Sequence, residues 1–594
     1  MWKYIAYPNL NWFRDLAENL RIKMVRILDA QDFNGTSFLL FLAVLIGLGG
    51  SLGAAGFRWL IETFTDLFLN QMLGALGHPY FLPLVTAAGS FLVGFIVLRW
   101  APEARGHGVP EVMAAVATQE GRIRPRLVIV KALASALCIG SGGSVGREGP
   151  IVQIGSALGS SFGQMFRVSR THMKILVGCG AAAGISATFN APLAGALFAL
   201  EVILGDFTVS TFSPIILSSV LANAFTHSLV GIETAFEVPD YHLVSLYELF
   251  LYAVLAVLAA AGAVGFTRLL YFLEDAFEAF SISEYAKSII GGVLIGVLGI
   301  FVPQILGVGY GAITDVLLNR TDLVLILILL VAKYLATSIT LGSGGSGGVF
   351  APSLFLGAML GGAYGHFVHA LFPDMTGEPG AYALVGMGAV VAGTTHAPLT
   401  AMLILFEMTD NYQIILPLML ATVISTLVAK RIERESIYTL KLSRRGLRIN
   451  QGVDVSILDS IPVREIMDTH YDFLKAQTPL GEIVGLLRNS DVTDFPVVDD
   501  EGNLKGLVSF QDIREVMTES DLYSLLVAAD AIGGSTPAVE EDASLIEALA
   551  TFSQHDIQNL PVVVNGGDRK LVGMITQSNL MRYYHQKLQE KINM

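Results

Sequence analysis

One stretch of this chain occurs twice, and that repeat narrows the possible folds more than any other feature. Residues 131–150, Lys-Ala-Leu-Ala-Ser-Ala-Leu-Cys-Ile-Gly-Ser-Gly-Gly-Ser-Val-Gly-Arg-Glu-Gly-Pro, align without a gap on residues 333–352, Lys-Tyr-Leu-Ala-Thr-Ser-Ile-Thr-Leu-Gly-Ser-Gly-Gly-Ser-Gly-Gly-Val-Phe-Ala-Pro. Two further blocks follow at nearly the same offset. Gly106-His-Gly-Val-Pro-Glu111 matches Gly309-Tyr-Gly-Ala-Ile-Thr-Asp315, and Asn190-Ala-Pro-Leu193 with Glu201 matches His396-Ala-Pro-Leu399 with Glu407. Matched blocks in one order make two related halves, 35–235 and 243–433.

The halves are built of apolar runs. Residues 38–52, 81–98, 250–264, 288–302 and 323–332 carry few or no charges, and such runs continue almost to position 430. Only 15% of the chain is charged and 53% is hydrophobic, against about 25% charged residues in soluble domains. A multi-pass membrane domain followed by a water-soluble tail is the consequence. Basic residues flank the apolar region, Lys3, Arg14, Arg21, Lys23 and Arg26 ahead of it and Lys430, Arg431, Arg434, Lys441, Arg444, Arg445 and Arg448 behind it. The positive-inside rule then puts both flanks in the cytosol, with an even number of crossings. The leading segment lacks a small-residue cleavage site, so no signal peptide is expected. The net charge of −14 argues against nucleic acid as a partner, and Cys138 and Cys179 stand in apolar segments, as packing residues do.

Each glycine-rich stretch runs into a proline and then an apolar run, at Gly149-Pro150 and Ala351-Pro352. Proline is at home in the first turn of a helix, so both stretches deliver a helix N-terminus out of a loop. Irregular backbone at membrane depth is tolerated only where protein, water or a transported solute satisfies its polar groups. Repeated halves with such interruptions mark a transporter whose site lies where broken helices meet. Helix N-termini offer free N–H donors and partial positive charge, so two converging ones suit a small anion. The competing reading, in which these glycines only permit close helix packing, leaves their clustering ahead of prolines unexplained.

Gly146-Arg-Glu-Gly-Pro150, with Gly347-Gly-Val-Phe-Ala-Pro352, resembles the signature of the CLC family of chloride channels and chloride/proton exchangers. Gly106-His-Gly-Val-Pro110 resembles that family's first selectivity loop, and Ser436-Ile-Tyr438 its terminal pore-lining stretch. The resemblance implies an outer anion site made by backbone N–H groups of Gly146, Arg147 and Gly149 with Val349 and Phe350. It implies a central site touched by His107 and the Tyr438 hydroxyl, and a homodimer with one pore per subunit. Glu148 is implied as the gating glutamate, whose carboxylate competes with the anion and swings aside when protonated. The repeat adds independent support, because Glu148 aligns with Phe350 and only one copy carries an ionisable group there. An intramembrane carboxylate costs about 2.5–3.5 kcal/mol on insertion scales and marks a functional site by default. The bland alternative is a structural ion pair between Glu148 and Arg147.

Two positions depart from the family pattern. Chloride-selective members usually have serine where His107 stands; an imidazole still offers an N–H to an anion, with a pH dependence or another preferred anion as the consequence. The alternative is a ring turned away onto backbone. Many exchangers carry a second, proton-relaying glutamate directly after the position of Glu201, and here that position is Val202. Val202 is non-titratable, which favours a passive channel; a chloride/proton antiporter is the alternative. Glu201, like its mate Glu407, reads as a buried structural carboxylate. Lys131 and Lys333 either raise the potential along the path or snorkel and pair with acids such as Glu111 and Asp315.

From about Leu458 the composition is that of an ordinary α/β domain, and it repeats again. Asp494-Phe-Pro-Val-Val498 with Gly506-Leu-Val-Ser-Phe-Gln-Asp512 matches Asn559-Leu-Pro-Val-Val563 with Gly573-Met-Ile-Thr-Gln-Ser-Asn579. Short apolar strands lead into a helix opened by Ser509 or Thr576, both good N-caps. This resembles a pair of CBS domains. The resemblance implies that Ser509 and Thr576 approach phosphate and that Asp512 accepts from ribose hydroxyls, with ATP, ADP or AMP as regulatory ligand. Asn579 replaces the usual acid in the second copy, so one nucleotide cleft is expected; an empty pair serving as a dimer scaffold is the alternative.

An enzyme is not expected. No His-Glu-x-x-His helix occurs, and His366 and His369 lack carboxylate company, so no metal site is expected. A CBS-tailed intramembrane protease would use Ser141 or Ser144 with His396, yet Gly-Ser-Gly-Gly-Ser stands in both halves. Fluoride-type relatives replace the Gly-Arg-Glu-Gly-Pro block, which is intact here; nitrate stays open as another anion. The expected architecture is a multi-pass all-α membrane domain built of two inverted repeats with broken helices, followed by an α/β CBS-pair cytosolic domain. Its parts are a cytosolic amphipathic segment (1–34), the repeats (35–235 and 243–433), a pore-terminal segment and linker (434–457) and two CBS copies (458–519 and 520–590). The expected setting is the cell membrane with both termini cytosolic. The expected partners are chloride and other small anions, protons for an exchanger, the lipid bilayer and a second copy of the chain, with no cofactor required.

Overall fold

The computed structural model describes residues 35–231, 236, 238–239, 241–409, 412–447, 461–489, 494–509, 513, 526–532, 537–555, 557–564 and 569–583. The segment 1–34 and the linker residues 448–460 lie outside them. The chain divides into two compact units, Met1–Ile449 and Asn450–Met594.

The first unit holds two successive sets of helices. The first set is α1 (Gly35–Thr65), α2 (Leu82–Trp100), α3 (Val109–Thr118), α4 (Arg126–Gly140), α5 (Glu148–Phe166), α6 (Arg170–Phe189), α7 (Pro192–Phe198) and α8 (Val209–Val230). The second is α9 (Glu248–Ala279), α10 (Glu284–Phe301), α11 (Tyr310–Leu317), α12 (Leu323–Gly342), α13 (Phe350–Leu371), α14 (Pro379–Thr395), α15 (Pro398–Thr409) and α16 (Ile415–Ile432), with a short α17 (Thr439–Arg444) after it. Among the described residues nine helical segments are long and apolar enough to cross a membrane. Helices α3, α7, α11 and α15 fall short of the ~20 residues a crossing takes. They are the broken helices, and they occupy the same places in both sets.

Contacts between the halves are returned. Gly146 N–H donates to the Gly348 carbonyl at 2.8 Å, and Gly348 N–H donates to the Gly146 carbonyl at 2.6 Å. Glu407 accepts from the N–H groups of Leu193 and Ala194 at 2.9 and 2.7 Å, while Glu201 accepts from those of Leu399 and Thr400 at 3.3 and 2.8 Å. Each carboxylate thus caps the first turn of the other half's broken helix, where orphan N–H groups and the helix dipole favour negative charge. Exchange between equivalent residues is what a two-fold axis produces, and the pairing at Gly146 and Gly348 is antiparallel. Glycines inside helices serve packing: a Cβ on Gly155 or Gly180 would lie 2.1 or 2.0 Å from the other's carbonyl oxygen where α5 crosses α6.

The two buried lysines obey the same symmetry and correct the expectation placed on them. Lys131 Nζ donates to the carbonyls of Ala104 and Gly106 at 2.9 and 2.8 Å. Lys333 Nζ donates to those of Ile305, Gly307 and Val308 at 3.1, 3.1 and 3.4 Å. Ser346 and Ser144 reach across from the opposite half onto the same Ala104 and Ile305 carbonyls, each at 2.7 Å. Neither lysine forms the expected acid pair; Glu111 is bound by Arg445 at 2.8 Å. A loop turning at positive φ gathers carbonyls that helix and sheet cannot satisfy, and an ammonium supplies the donors. These bonds also correct the repeat's frame. Gly106-His-Gly108 is equivalent to Gly307-Val-Gly309, two residues earlier than the sequence match, because Gly-x-Gly occurs there twice in succession.

The second unit contains two copies of one sheet. Strands β1 (Leu474–Lys475), β2 (Asp494–Val498) and β3 (Leu504–Ser509) form the first; β4 (Val539–Glu540), β5 (Asn559–Val563) and β6 (Leu571–Thr576) form the second. Each copy pairs its first two strands parallel and its last two antiparallel. The copies also return each other's bonds, Leu504 N–H to the Arg569 carbonyl at 2.7 Å and Leu571 N–H to the Gly502 carbonyl at 3.1 Å. They exchange flanking segments as well: Ile461 and Val463 enter the second copy's core, and Ala528 enters the first's.

Candidate anion-binding site

Helices α5 and α13 begin at Glu148 and Phe350, with Arg147 and Val349 as N-caps. The reciprocal Gly146–Gly348 bonds two residues upstream hold these N-termini against each other. Gly106 N–H donates to the Gly345 carbonyl at 3.0 Å, and Gly347 N–H to the Gly106 carbonyl at 3.3 Å, which brings the His107 loop to the same place. Gly149 packs its Cα between the His107 carbonyl and Gly348. The sequence-predicted residues 107, 146–149, 349 and 350 are therefore brought together, all but one of them fully buried and Arg147 partly so.

Glu148 is 1% exposed. Its Oε2 accepts from the Ala351 N–H at 3.3 Å, and its Oε1 accepts from the Tyr310 hydroxyl at 2.6 Å. The carboxylate thus sits on the N-terminus of α13, where an anion would otherwise take the free N–H groups. No ion pair joins it to Arg147. That guanidinium lies over the Tyr310 ring at 5.3 Å and donates to the Thr188 carbonyl at 3.5 Å. On the other side, the Phe350 ring packs against Phe189 and Phe198, with centroids 5.7 and 6.5 Å away.

His107 is buried with its Nε2 3.5 Å from the Tyr271 hydroxyl, and that hydroxyl donates to the Ile437 carbonyl at 2.6 Å. Its Nδ1 has no partner among the described residues. The Tyr438 ring lies 6.0 Å from the imidazole, so the two side chains assigned to the inner part of the site are neighbours. Val202 is buried in the π-helical turn Ala199–Leu204 that continues α7. Ser144 and Ser141 spend their hydroxyls on the carbonyls of Ile305 and Cys138, at 2.7 and 3.3 Å, which leaves a serine nucleophile no support.

Tyr310 and Tyr271 were missed by sequence reasoning. Tyr271 carries no signal, since it lies inside the long apolar helix α9. Tyr310 had one: in the corrected frame it opens α11 where Val109 opens α3, so it is the polar member of an otherwise apolar pair.

In the tail, Thr576 Oγ1 accepts from the Asn579 N–H at 3.0 Å and so caps the helix that follows β6. The Asn579 side chain is taken by Arg582. Ser509 ends β3, and Asp512 lies outside the described residues. The Asp499 carboxylate in the turn before β3 is held down to about 2, first by the Asn503 N–H and further by Lys505.

A family model described as voltage gated chloride channel matches residues 89–430, and a CBS-domain model matches residues 463–519 and 535–586. A ClcB-like protein of Ralstonia nicotianae (strain ATCC BAA-1114 / GMI1000) is 37% identical over 421 residues, which is 68% of this chain and 97% of that protein. The H(+)/Cl(-) exchange transporter ClcA of Vibrio vulnificus (strain YJ016) is 36% identical over 421 residues, 68% of this chain and 89% of its own. Among solved structures, a slow cyanobacterial Cl-/H+ antiporter aligns with a TM-score of 0.64 and 29% identity over 68% of this chain and 97% of that one. A eukaryotic CLC transporter aligns with a TM-score of 0.62 and 22% identity over 91% of this chain and 97% of that one, a likeness of fold.

Proposed function

The chain belongs to the CLC family of chloride channels and chloride/proton exchangers and carries a CBS-domain pair, and from that premise we propose that it moves chloride across the cell membrane in exchange for protons, with Glu148 as the gate. The observation that carries this reading is the Glu148 carboxylate seated on the α13 N-terminus. A group that occupies the anion's place when ionised and leaves it when protonated ties anion passage to a proton. The relatives named as exchangers and antiporters move the balance from a passive channel toward exchange. The passive channel is the second reading, favoured by Val202, which offers the proton no inner station.

The test is the purified protein in liposomes, with chloride efflux and external pH recorded together. Proton uptake in fixed ratio to chloride efflux is the expected result. Efflux without proton movement selects the channel, and absence of efflux for chloride, nitrate and fluoride alike sinks both readings.

His107 supplies a donor to the central anion in this reading. His107→Ser exchanges one donor for another and is expected to keep transport and to change the chloride-to-nitrate flux ratio by roughly three- to tenfold, the scale of one ordinary hydrogen bond. A ratio equal to the parent's, measured in the same vesicles, removes His107 from the path. The remaining assignments belong to the same reading: both termini cytosolic, a homodimer with one pore per subunit, and an adenine nucleotide held by the CBS pair near Ser509 and Thr576 as regulator.

A further inference from the structure

We propose that Tyr310 is a positioning residue that latches Glu148 into the anion site, so that opening depends on breaking the Tyr310 hydrogen bond as well as on protonating the carboxylate. The inference rests on the reading of Glu148 as the gate. Two donors hold the carboxylate, and Tyr310 is the closer, at 2.6 Å against 3.3 Å for the Ala351 N–H. A hydroxyl donating to an ionised carboxylate makes a short, charge-assisted bond. Once the carboxylate is protonated the bond falls to ordinary strength, and the side chain is freed.

Tyr310 is itself fixed in place. It is the first residue of α11, directly after the three carbonyls that Lys333 gathers. Its ring is covered on one face by the Arg147 guanidinium at 5.3 Å and met edge-on by Phe236 at 5.3 Å. The bond also joins the two halves, Glu148 coming from the first and Tyr310 from the second. The symmetry-related pair is Val109 with Phe350, which has neither the hydroxyl nor the carboxylate, so the bond is formed once and not twice. Among the described residues, Arg147 adjoins Glu148 in the chain, and Tyr310, Lys333 and Tyr438 are the groups near enough to interact with it electrostatically. Of these, Tyr310 makes the hydrogen bond; Lys333 spends its donors on backbone carbonyls.

The experiment compares Tyr310→Phe, Glu148→Ala and the double variant in liposomes, with chloride efflux measured across pH. Phenylalanine keeps the ring that Arg147 and Phe236 pack against and removes the donor alone. The half-maximal efflux of Tyr310→Phe is expected to move to higher pH by about one unit, with roughly tenfold more efflux at neutral pH, the scale of one lost charge-assisted bond. In the Glu148→Ala background the same substitution is expected to change nothing. A parental pH profile in Tyr310→Phe, beside a flat one in Glu148→Ala, overturns the latch and leaves the gate standing. Equal slowing in both backgrounds also overturns it, because that is the mark of a structural residue. A parental profile in Glu148→Ala overturns the gate and the latch with it.

Discussion

Glu148→Ala is expected to pass chloride at neutral pH as fast as the parent does in acid, with a flat pH profile and no proton movement tied to the anion. The carboxylate is buried at the N-terminus of α13 and held by two donors. Hydrogen bonds to an ionised group contribute about 1.5–3 kcal/mol each, so a seated carboxylate excludes the anion from most molecules until it is protonated. Alanine has nothing to seat. The N–H groups that Glu148 occupied become available to chloride, and roughly tenfold or greater stimulation at neutral pH follows from losing even one such bond. The measurement is chloride efflux from liposomes across the pH range, with external pH recorded beside it. Persistent proton coupling in this variant would remove Glu148 from the mechanism, whatever the chloride rate.

The sequence singled this carboxylate out, since the repeat set Glu148 against Phe350 and left one ionisable group in a shared loop, and the structure buries it where the two loops meet. The broken helices were legible for the same reason: glycine and proline interrupt both halves at equivalent places, and few folds tolerate such interruption at membrane depth. What stayed hidden were side chains whose partners are backbone carbonyls. For Lys131 and Lys333 the sequence left open a raised potential along the path or snorkelling and pairing with acids, and a carbonyl cradle was not among those readings. The structure instead gives them carbonyls gathered by positive-φ loops, which no residue type announces. Tyr310 was hidden by a register error, because Gly307-Val-Gly309-Tyr-Gly311 offers two Gly-x-Gly frames and only the lysine bonds select one. In the tail, the strand pairs and the Thr576 cap followed from the repeated Pro-Val-Val and Gly-x-x-Ser/Thr patterns. The exchange of flanking segments between copies did not, because it depends on packing across the copies.

The lysines carry the second large expected effect. Lys131→Met and Lys333→Met keep length and apolar volume while removing the ammonium donors, and Lys333→Met also strips two loop carbonyls of the donor they share. An unsatisfied buried polar group costs about 1–3 kcal/mol, and Lys131 serves two carbonyls where Lys333 serves three and also lies over the Phe355 ring at 5.0 Å. Ala104 keeps Ser346 and Gly106 keeps the Gly347 N–H, so Lys131→Met bares neither carbonyl and loses about 1 kcal/mol. Ile305 keeps Ser144, but the partly buried Gly307 and Val308 carbonyls lose their ammonium donor, about 2–4 kcal/mol for Lys333→Met. Both variants are expected to melt earlier in detergent, Lys333→Met more so, followed by the loss of monodisperse protein on gel filtration. Melting temperatures equal to the parent's would mean that water reaches these loops and that the lysines are dispensable. Their functional consequences differ, because the two loops lead to different parts of the site. Lys131 steadies the loop that carries His107, so below its melting point Lys131→Met is expected to blur the discrimination between chloride and nitrate. Lys333 steadies the start of α11 and hence Tyr310, so Lys333→Met is expected to shift the pH profile of efflux upward, in the direction of Tyr310→Phe. On the proposed reading, symmetric scaffolding serves an asymmetric pore: equivalent lysines support the His107 loop in one half and the start of the Tyr310 helix in the other.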